Sequence, residues 1–354
     1  MHSFNTDEII ENGIKVIINP KAGSHARHVE RDMRHRLSTD HVNYYISTSK
    51  QDIMQMVSQF AAEAKKRQTH TLVLPVGGDG TYHDAINADG DLDELIFGFT
   101  DSGSSGDYLR TLNTKKHSRM CKHINALREK KVPLEERVKL ADMIKISYNL
   151  GDEEKSINGL NIFSIGFDGE VCKKVNSSVL QGGIKKKLGF VPASLQVLKD
   201  YVPLEIGYSI NGEPDKKKVA KDVLSFILII GQYAAGAMKY NPHGEIDDEL
   251  AECLIAKYSS KKKVKLDIIR LAFHIKLLRD NKIVDSLPQA NGYNKYGIMY
   301  LDKVKSAELK INNPEADKEY YFESDGEHYQ YEPSRPLHLE VVSKAIKVLH
   351  VPAS

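Results

Sequence analysis

Thr71-Leu72-Val73-Leu74-Pro75-Val76-Gly77-Gly78-Asp79-Gly80-Thr81 is the stretch on which the reading of this chain turns. Thr71 to Val76 is a compact apolar strand, and a helix is expected from Tyr82 to Ala88. Between them stand three glycines, one acid and a hydroxyl. Glycines let backbone N–H groups approach phosphate oxygens with no Cβ in the way, and the positive end of a helix dipole favours an anion. Asp79 would repel phosphates unless it met a bridging Mg2+ or accepted a hydroxyl hydrogen bond. The plainer reading is a tight strand–helix turn with an aspartate N-cap. The full strand–loop–helix context favours a nucleotide-phosphate loop. It is not a Walker loop, since no Gly-Lys-Ser/Thr follows, and it is not a G-x-G-x-x-G fingerprint.

Upstream, Ile14 to Ile18 is an apolar run that ends in Asn19-Pro20-Lys21-Ala22-Gly23, a turn sequence. A helix is expected from Arg27 to Leu37, a strand from Val42 to Ile46, and a helix from Gln51 to Lys66 with Ile53, Met56, Val57, Phe60, Ala61 and Ala64 at helical spacing. Downstream, the strand Leu95 to Phe99 runs into a second glycine/serine loop, Asp101 to Asp107. Repeated strand–loop–helix units predict a doubly wound parallel sheet, a Rossmann-like α/β domain over residues 1–137. Right-handed crossovers would gather the loops at the carboxyl edge of the strands, where ligands bind.

From Val138 the pattern changes to alternating runs: 139–148, 157–165, 204–210, 219–231, 250–258, 296–301, 306–311 and 320–323. Asn211-Gly212 and Asn312-Asn313-Pro314 supply turns. A β-rich domain, a sandwich, is expected over 138–336, interrupted by helices at 188–201 and 263–279. Residues 337–354 are apolar enough to pack back onto the first domain.

The chain has 354 residues, enough for about two domains at ~150 residues each. Fifty Lys and Arg against 48 Asp and Glu leave a formal charge of +2, and 41% hydrophobic residues are ordinary globular content. Disordered, collagen-like and highly charged nucleic-acid-tail classes are excluded. Cys121, Cys172 and Cys253 are far apart with no Cys-x-x-Cys, so a reducing compartment fits and a disulfide framework does not. The start lacks a basic segment followed by an apolar one, so no secretory signal is expected. The longest apolar run, Val223 to Ile230, falls far short of the ~20 residues a membrane span needs. A cytoplasmic location follows, with peripheral contact at the inner membrane face left open.

GGDG[TS] loops recur in three kinase groups: the diacylglycerol and sphingosine kinase superfamily, NAD kinases and phosphofructokinases. The other loops discriminate. Asn19-Pro20-Lys21-Ala22-Gly23 resembles the N-P-x-x-G start of the diacylglycerol/sphingosine kinase catalytic domain. Thr48 and Asp52 stand where that family has a threonine and an acid, and Asn87 follows the GGDGT loop as in G-G-D-G-T-x-x-E-x-x-N-G, with Asp84 at the family's glutamate. Phe163 to Gly169 resembles the G-[FL]-D-A segment, Lys187 to Val191 the G-K-x-[AG]-Y helix start, and Pro242 to Leu254 the P-x-A-x-x-x-D-G-x-L run. Asp325-Gly326-Glu327 supplies the late D-G-E. Where the family's second loop reads P-x-G-T-x-N-D, this chain has Ser102 to Asp107, with Ser104 for Thr, Gly106 for Asn and no Pro. The chain thus resembles a soluble bacterial-type lipid kinase.

That resemblance implies ATP and Mg2+ as cofactors. It places Asn19, Pro20, Gly23, Thr48, Gly77, Gly78, Asp79, Gly80, Thr81 and Ser104 around the nucleotide. Glu327 is the first choice for the base that takes the acceptor's hydroxyl proton, with Asp325 beside it as support or metal contact. Asp79 is the competing candidate for the base. A structural metal is implied at Asp248 with Glu245 and the Leu250 carbonyl; an acidic turn is the even alternative. The implied acceptor is diacylglycerol or a related lipid alcohol; alternatives are a sphingoid base, another small alcohol, or nucleotide or lipid binding without turnover. Lysine runs at 173–174, 185–187, 216–218 and 261–263 are candidates for a lipid surface; any one alone reads better as a solvated turn, and only together do they point to a surface. Nucleic acid is a poor partner, since no aromatics interleave with the basic runs. Strand edges of the β region leave a two-fold homodimer open.

Overall fold

The structure, a computed structural model, describes residues 13–22, 26–37, 41–101, 106–112, 114, 116–177, 183–213, 217–234, 240–277 and 297–350, with the side chains of 101, 183–189 and 270–277 left aside. The chain divides into two compact units. One comprises Met1–Ala141, Gly182–Ile184 and Lys344–Ser354; the other comprises Asp142–Gln181 and Lys185–Ser343.

In the first unit β1 (Ile14–Ile18), β2 (Val42–Ile46), β3 (Thr71–Gly77) and β4 (Leu95–Phe97) run parallel in the order β2-β1-β3-β4. Ile18 is in register with Ile46 on one side and Val76 on the other, so the three strands end at one level. The short β5 (Thr100–Asp101) continues beside the end of β3. Ile14, Val16 and Ile18 share one face with Leu72, Leu74 and Val76, covered by Val29 and Met33 of α1 (Ala26–Arg36) and by Met120, Ile124 and Leu127 of α5 (His117–Arg128). Helix α2 (Lys50–Arg67) packs on β3 and on α3 (Asp79–Ile86). Every residue of β3 is buried, as a parallel strand with both faces covered requires. Chain order reverses at β1: one crossover leads to β2 on its one side, and the next returns to β3 on its other. In such sheets ligands bind outside the carboxyl ends at this switch point, here β1 and β3.

Three local readings change. Helix α3 starts at Asp79 rather than Tyr82, because extended Gly78 serves as N-cap and the Thr81 amide already bonds its carbonyl at 2.8 Å. The strand expected over 95–99 ends at Phe97, and the separate β5 begins at Thr100; between them, a Cβ at Gly98 would lie 2.3 Å from Leu74. The five-residue α4 (Asp107–Thr111) and α5 carried no clear apolar period and went unread.

The second unit is strand-rich and antiparallel. β15 (Glu327–Tyr331), β14 (Tyr320–Ser324), β8 (Ile162–Gly166), β10 (Lys218–Ile229), β9 (Leu204–Ile210) and β13 (Ser306–Ile311) are neighbours in that order, and β11 (Ala251–Lys257) with β12 (Ile298–Val304) extends from β10. The run expected over 157–165 is two strands, β7 (Glu153–Gly159) and β8, with β7 paired to β6 (Val138–Leu150). Helix α6 (Phe167–Ser177) was also missed; it starts within the Phe163–Gly169 segment and packs against β14, where Gly169 comes so close that a Cβ would meet the Tyr321 carbonyl at 2.1 Å. Helices α7 (Gly183–Asp200) and α8 (Lys261–Leu277) complete the unit. The last strand, β16 (Leu337–Leu349), pairs Leu337–Glu340 with β13 in the second unit; its end belongs to the first unit, where Lys347 and Val348 pair with Ile96 and Phe97 of β4. Among the described residues no helix is long and apolar enough to cross a membrane.

Candidate active site

At the switch point Asn19 ties the two strand ends together. Its amide donates to the Val76 carbonyl at 3.1 Å, its Nδ2 donates to Thr81 Oγ1 at 2.9 Å, and its Oδ1 accepts from the Lys21 amide at 3.0 Å. The turn Asn19-Pro20-Lys21-Ala22 closes with Ala22 N on the Asn19 carbonyl. Asparagine suits this place because one amide group can donate across the crevice and accept from its own turn. Gly77 is held to glycine by the same geometry, since a Cβ there would lie 2.1 Å from Thr81 Oγ1. Tyr82, buried under the loop, donates to the Gly77 carbonyl at 2.8 Å and the Thr100 carbonyl at 2.9 Å.

Thr48 stands at the end of β2 just ahead of α2. Its amide and hydroxyl both donate to Asp52 Oδ2, at 2.7 and 3.1 Å, while Ser49 caps the helix by accepting from the Asp52 amide. Lys21 Nζ donates to the Thr48 carbonyl at 2.7 Å, so a lysine bridges the first and second loops. The sequence reading passed over Lys21; its signal is a cation inside a turn already assigned to phosphates.

Asp79 and Asp107 open α3 and α4, and the Asp107 amide lies 3.5 Å from Asp79 Oδ2. Gly106, ahead of Asp107, has φ +55°. Asparagine is among the residues that tolerate this conformation best, so glycine in its place keeps the backbone and loses only the amide side chain. Gly23 and Ser104, expected at the nucleotide, lie outside the described residues.

In the second unit Asp325 and Gly326, with φ of +52° and +86°, form the two-residue turn of the β14–β15 hairpin. Glu327 follows as the first residue of β15, opposite Ser324 and partly exposed. Of the two parts expected for Asp325, support or metal contact, its bonds favour support. It is 5% exposed, and its oxygens accept from the amides of Leu160 at 2.7 Å, Asn161 at 2.9 Å and Ile162 at 3.2 Å. Three backbone donors make this carboxylate a brace between the turn and the start of β8. From the other side the Gly326 carbonyl accepts from Cys172 Sγ and Asn176 Nδ2 of α6, both at 3.1 Å, and Asn176 Nδ2 is 3.3 Å from His328 Nδ1. Glu323 accepts the Gly326 amide at 2.9 Å. Every polar backbone group of Gly326 is thus held, and with it the segment that carries Glu327. Sequence reading missed Cys172, Asn176 and His328 because the helix residues meet the turn only at separations of 150 or more positions in the chain. Nearby in chain, Asp168 is half-buried, and its desolvation raises the carboxyl above the usual range while the Ser164 hydroxyl donates to it at 2.7 Å.

The structural metal expected at Glu245, Asp248 and Leu250 does not fit the observed geometry. Asp248 Oδ1 accepts from the Leu250 amide at 3.2 Å, and Oδ2 is 2.7 Å from Lys303 Nζ, which also lies 3.5 Å from Glu252. An ammonium therefore neutralises the aspartate that a metal would use, and Glu245 is exposed. Among the described residues no group of three or more His, Cys, Asp or Glu side chains is gathered to hold a metal. The buried Glu252 carboxyl is pushed above its ordinary range by burial, against the lowering pull of Lys303 and a bond from Asn241.

A parallel sheet with glycine and asparagine loops at its switch point thus stands in one chain with a strand-rich unit that carries a braced D-G-E turn. Residues 13–136 match the family model of the diacylglycerol kinase catalytic domain, the family that the loops resemble. Over 120 residues the chain is 29% identical to "Putative lipid kinase YtlR" of Bacillus subtilis (strain 168); this match spans 32% of the chain and 36%, about a third, of that protein. Two solved structures from Bacillus anthracis str. Sterne share the fold over nearly the whole chain. A "putative diacylglycerol kinase" has TM-score 0.62 and 19% identity over 97% of this chain and 99% of that one. One of the "diacylglycerol kinases" has TM-score 0.59 and 16% identity over 96% and 97%.

Proposed function

We propose that this protein is an ATP- and Mg2+-dependent lipid kinase that transfers the γ-phosphoryl group to a hydroxyl of diacylglycerol or a related lipid. The observation that carries the reading is the Asn19–Thr81 bond closing the β1–β3 switch point over a glycine loop, inside the segment that matches the catalytic-domain family. Phosphoryl transfer needs positioning and charge neutralisation more than covalent chemistry. The amides at the start of α3, which glycines 77, 78 and 80 leave accessible, bind phosphate oxygens. Lys21 and Thr48 line the same carboxyl edge of the sheet, and Lys21 adds positive charge there.

Asp79 and Asp107 offer hard oxygen donors of the kind Mg2+ takes alongside nucleotide phosphates. When bound there, Mg2+ would offset charge on the transferring phosphoryl group. Glu327 accepts the acceptor's hydroxyl proton as its oxygen bonds to the γ-phosphorus and the bond to the β-phosphate oxygen breaks, with ADP leaving. A carboxylate can do this because the alcohol becomes acidic only as the transition state develops. Asp79 is the alternative base.

The test has two stages. Mg·ATP should raise the melting temperature, and radiolabelled ATP should then label a lipid in a panel of diacylglycerols, sphingoid bases and small alcohols. A melting shift with no labelled product would favour a binding protein without turnover, and no shift with any nucleotide would refute the reading.

A further inference from the structure

Over residues 261–269, the part of helix α8 (Lys261–Leu277) whose side chains are described, the helix packs by one side. Val264 and Ile268 pack into a core with Phe167, Val171, Ala193, Leu198 and Tyr201, and Lys261 donates to the Lys199 carbonyl at the end of α7. The stripe at positions 262, 265, 266 and 269 points the other way, since residues three and four apart share a helix face. On it Leu266 is 44% exposed and Ile269 43% exposed, and Lys262 and Lys265 beside them are exposed as well. Other large exposed apolar residues among those described, such as Ile46, Val202 and Val219, lie on separate elements. From Lys257 to Leu266 the chain carries five lysines and no acid, all five lysines are exposed, and the first turn of α8 has no acidic residue. Asp267, the one acid at this end of the helix, is buried.

We propose that the 262/265/266/269 face of α8 lies in the interface of an anionic lipid bilayer, with Leu266 and Ile269 at the level of the acyl chains and the lysines among the headgroups. A second copy of this chain is the weaker occupant, because two such faces would bring like charges together. An anionic leaflet supplies the opposite charge, and an amphipathic helix with lysine beside aliphatic residues has the composition that partitions to such a surface. This deepens the proposed function, since an acceptor held in a bilayer must be met at its surface, yet the face is measured without turnover.

The experiment is sedimentation of the full chain with phosphatidylcholine vesicles, with and without phosphatidylglycerol. Wild type should bind only the anionic vesicles and release at ~0.5 M salt, where screening shortens to a few ångström. Leu266→Asp with Ile269→Asp, and separately Lys262→Glu with Lys265→Glu, should each lower partitioning by about tenfold or more. Val219→Asp, on β10, should leave it unchanged. Circular dichroism and melting of each variant show whether it folds, and the charge-reversal pair touches no core residue. Wild-type binding unaffected by both pairs, or no anionic-lipid binding at all, would overturn the proposal. So would a loss of dimer in the variants without any loss of vesicle binding. Binding with no labelled lipid product in the kinase assay would keep this face and refute the lipid-kinase reading, whereas product from soluble short-chain acceptor without vesicle binding would do the reverse.

Discussion

Replacing Asp325 separates a brace from a chemical participant. Its carboxylate accepts three backbone amides at 2.7, 2.9 and 3.2 Å and is 5% exposed, so Asp325→Ala leaves three donors facing a dry gap. A hydrogen bond to a charged group contributes about 1.5–3 kcal/mol, and three would sum to roughly 4–9 kcal/mol. Bonds that share one carboxylate are not additive, so the expected loss is about 3–5 kcal/mol. Against a usual total stability of about 5–15 kcal/mol, that takes the second unit close to unfolding. Asp325→Asn keeps one acceptor and turns an N–H toward an amide donor, so it should cost about 2–3 kcal/mol. The assay is urea unfolding followed with hydrogen exchange. In Asp325→Asn the amides of Leu160, Asn161 and Ile162 should exchange faster, and turnover should fall together with stability. Glu327→Gln should show the opposite signature, with turnover down ~10²–10⁴-fold, the effect of removing a positioned acid–base group, and the unfolding midpoint unchanged. If Asp325→Asn left stability within about 0.5 kcal/mol of wild type while abolishing turnover, the brace argument would be refuted.

Gly77→Ala should abolish the melting shift by Mg·ATP, because its Cβ would meet Thr81 Oγ1 at 2.1 Å and displace the loop, at an overpacking cost of about 1–3 kcal/mol. Asn176→Ala frees one side of the Gly326 carbonyl and should lower kcat about tenfold with KM for ATP unchanged, which steady-state rates would check. EDTA should leave the melting temperature of the nucleotide-free protein unchanged, since Lys303 already neutralises Asp248; an EDTA-sensitive transition would contradict that. Lys303→Met should steepen a pH dependence. The folded Glu252 carboxyl titrates above its ordinary range, so this group favours folding most at acid pH and that contribution is lost as pH rises through its raised value. Removing the cation raises it further, and urea midpoints should fall more between ~pH 4.5 and ~pH 7 in the variant than in wild type.

Much of the first unit follows from local pattern alone. Ile14–Ile18 and Thr71–Gly77 are largely apolar runs that suit strands covered on both faces, Val42–Ile46 is a part-buried edge strand, and each ends in residues that break the strand. The candidate site is local too: Gly77 to Thr81 is contiguous in chain, so a loop proposed to hold phosphate could be singled out before any contact was known. The short α4 and the start of α6 could not, because five residues carry no period and Phe167 follows β8 with only Gly166 between it and Ile165.

The amino-acid sequence by itself thus determined the α/β character of the first unit, the strand-rich second unit, and the loops of the family, since spacing and composition act over a few residues. Only the tertiary structure decided what the acids do. Asp325 and Asp248 look alike in sequence, each an aspartate in an acidic turn. One was assigned by the amides of residues 160–162 and the other by Lys303, partners that lie 163 to 165 and 55 positions away in the chain. A carboxylate's role is set by the nearest positive charge or donor, and for both of these the fold, not the neighbouring residues, supplied it.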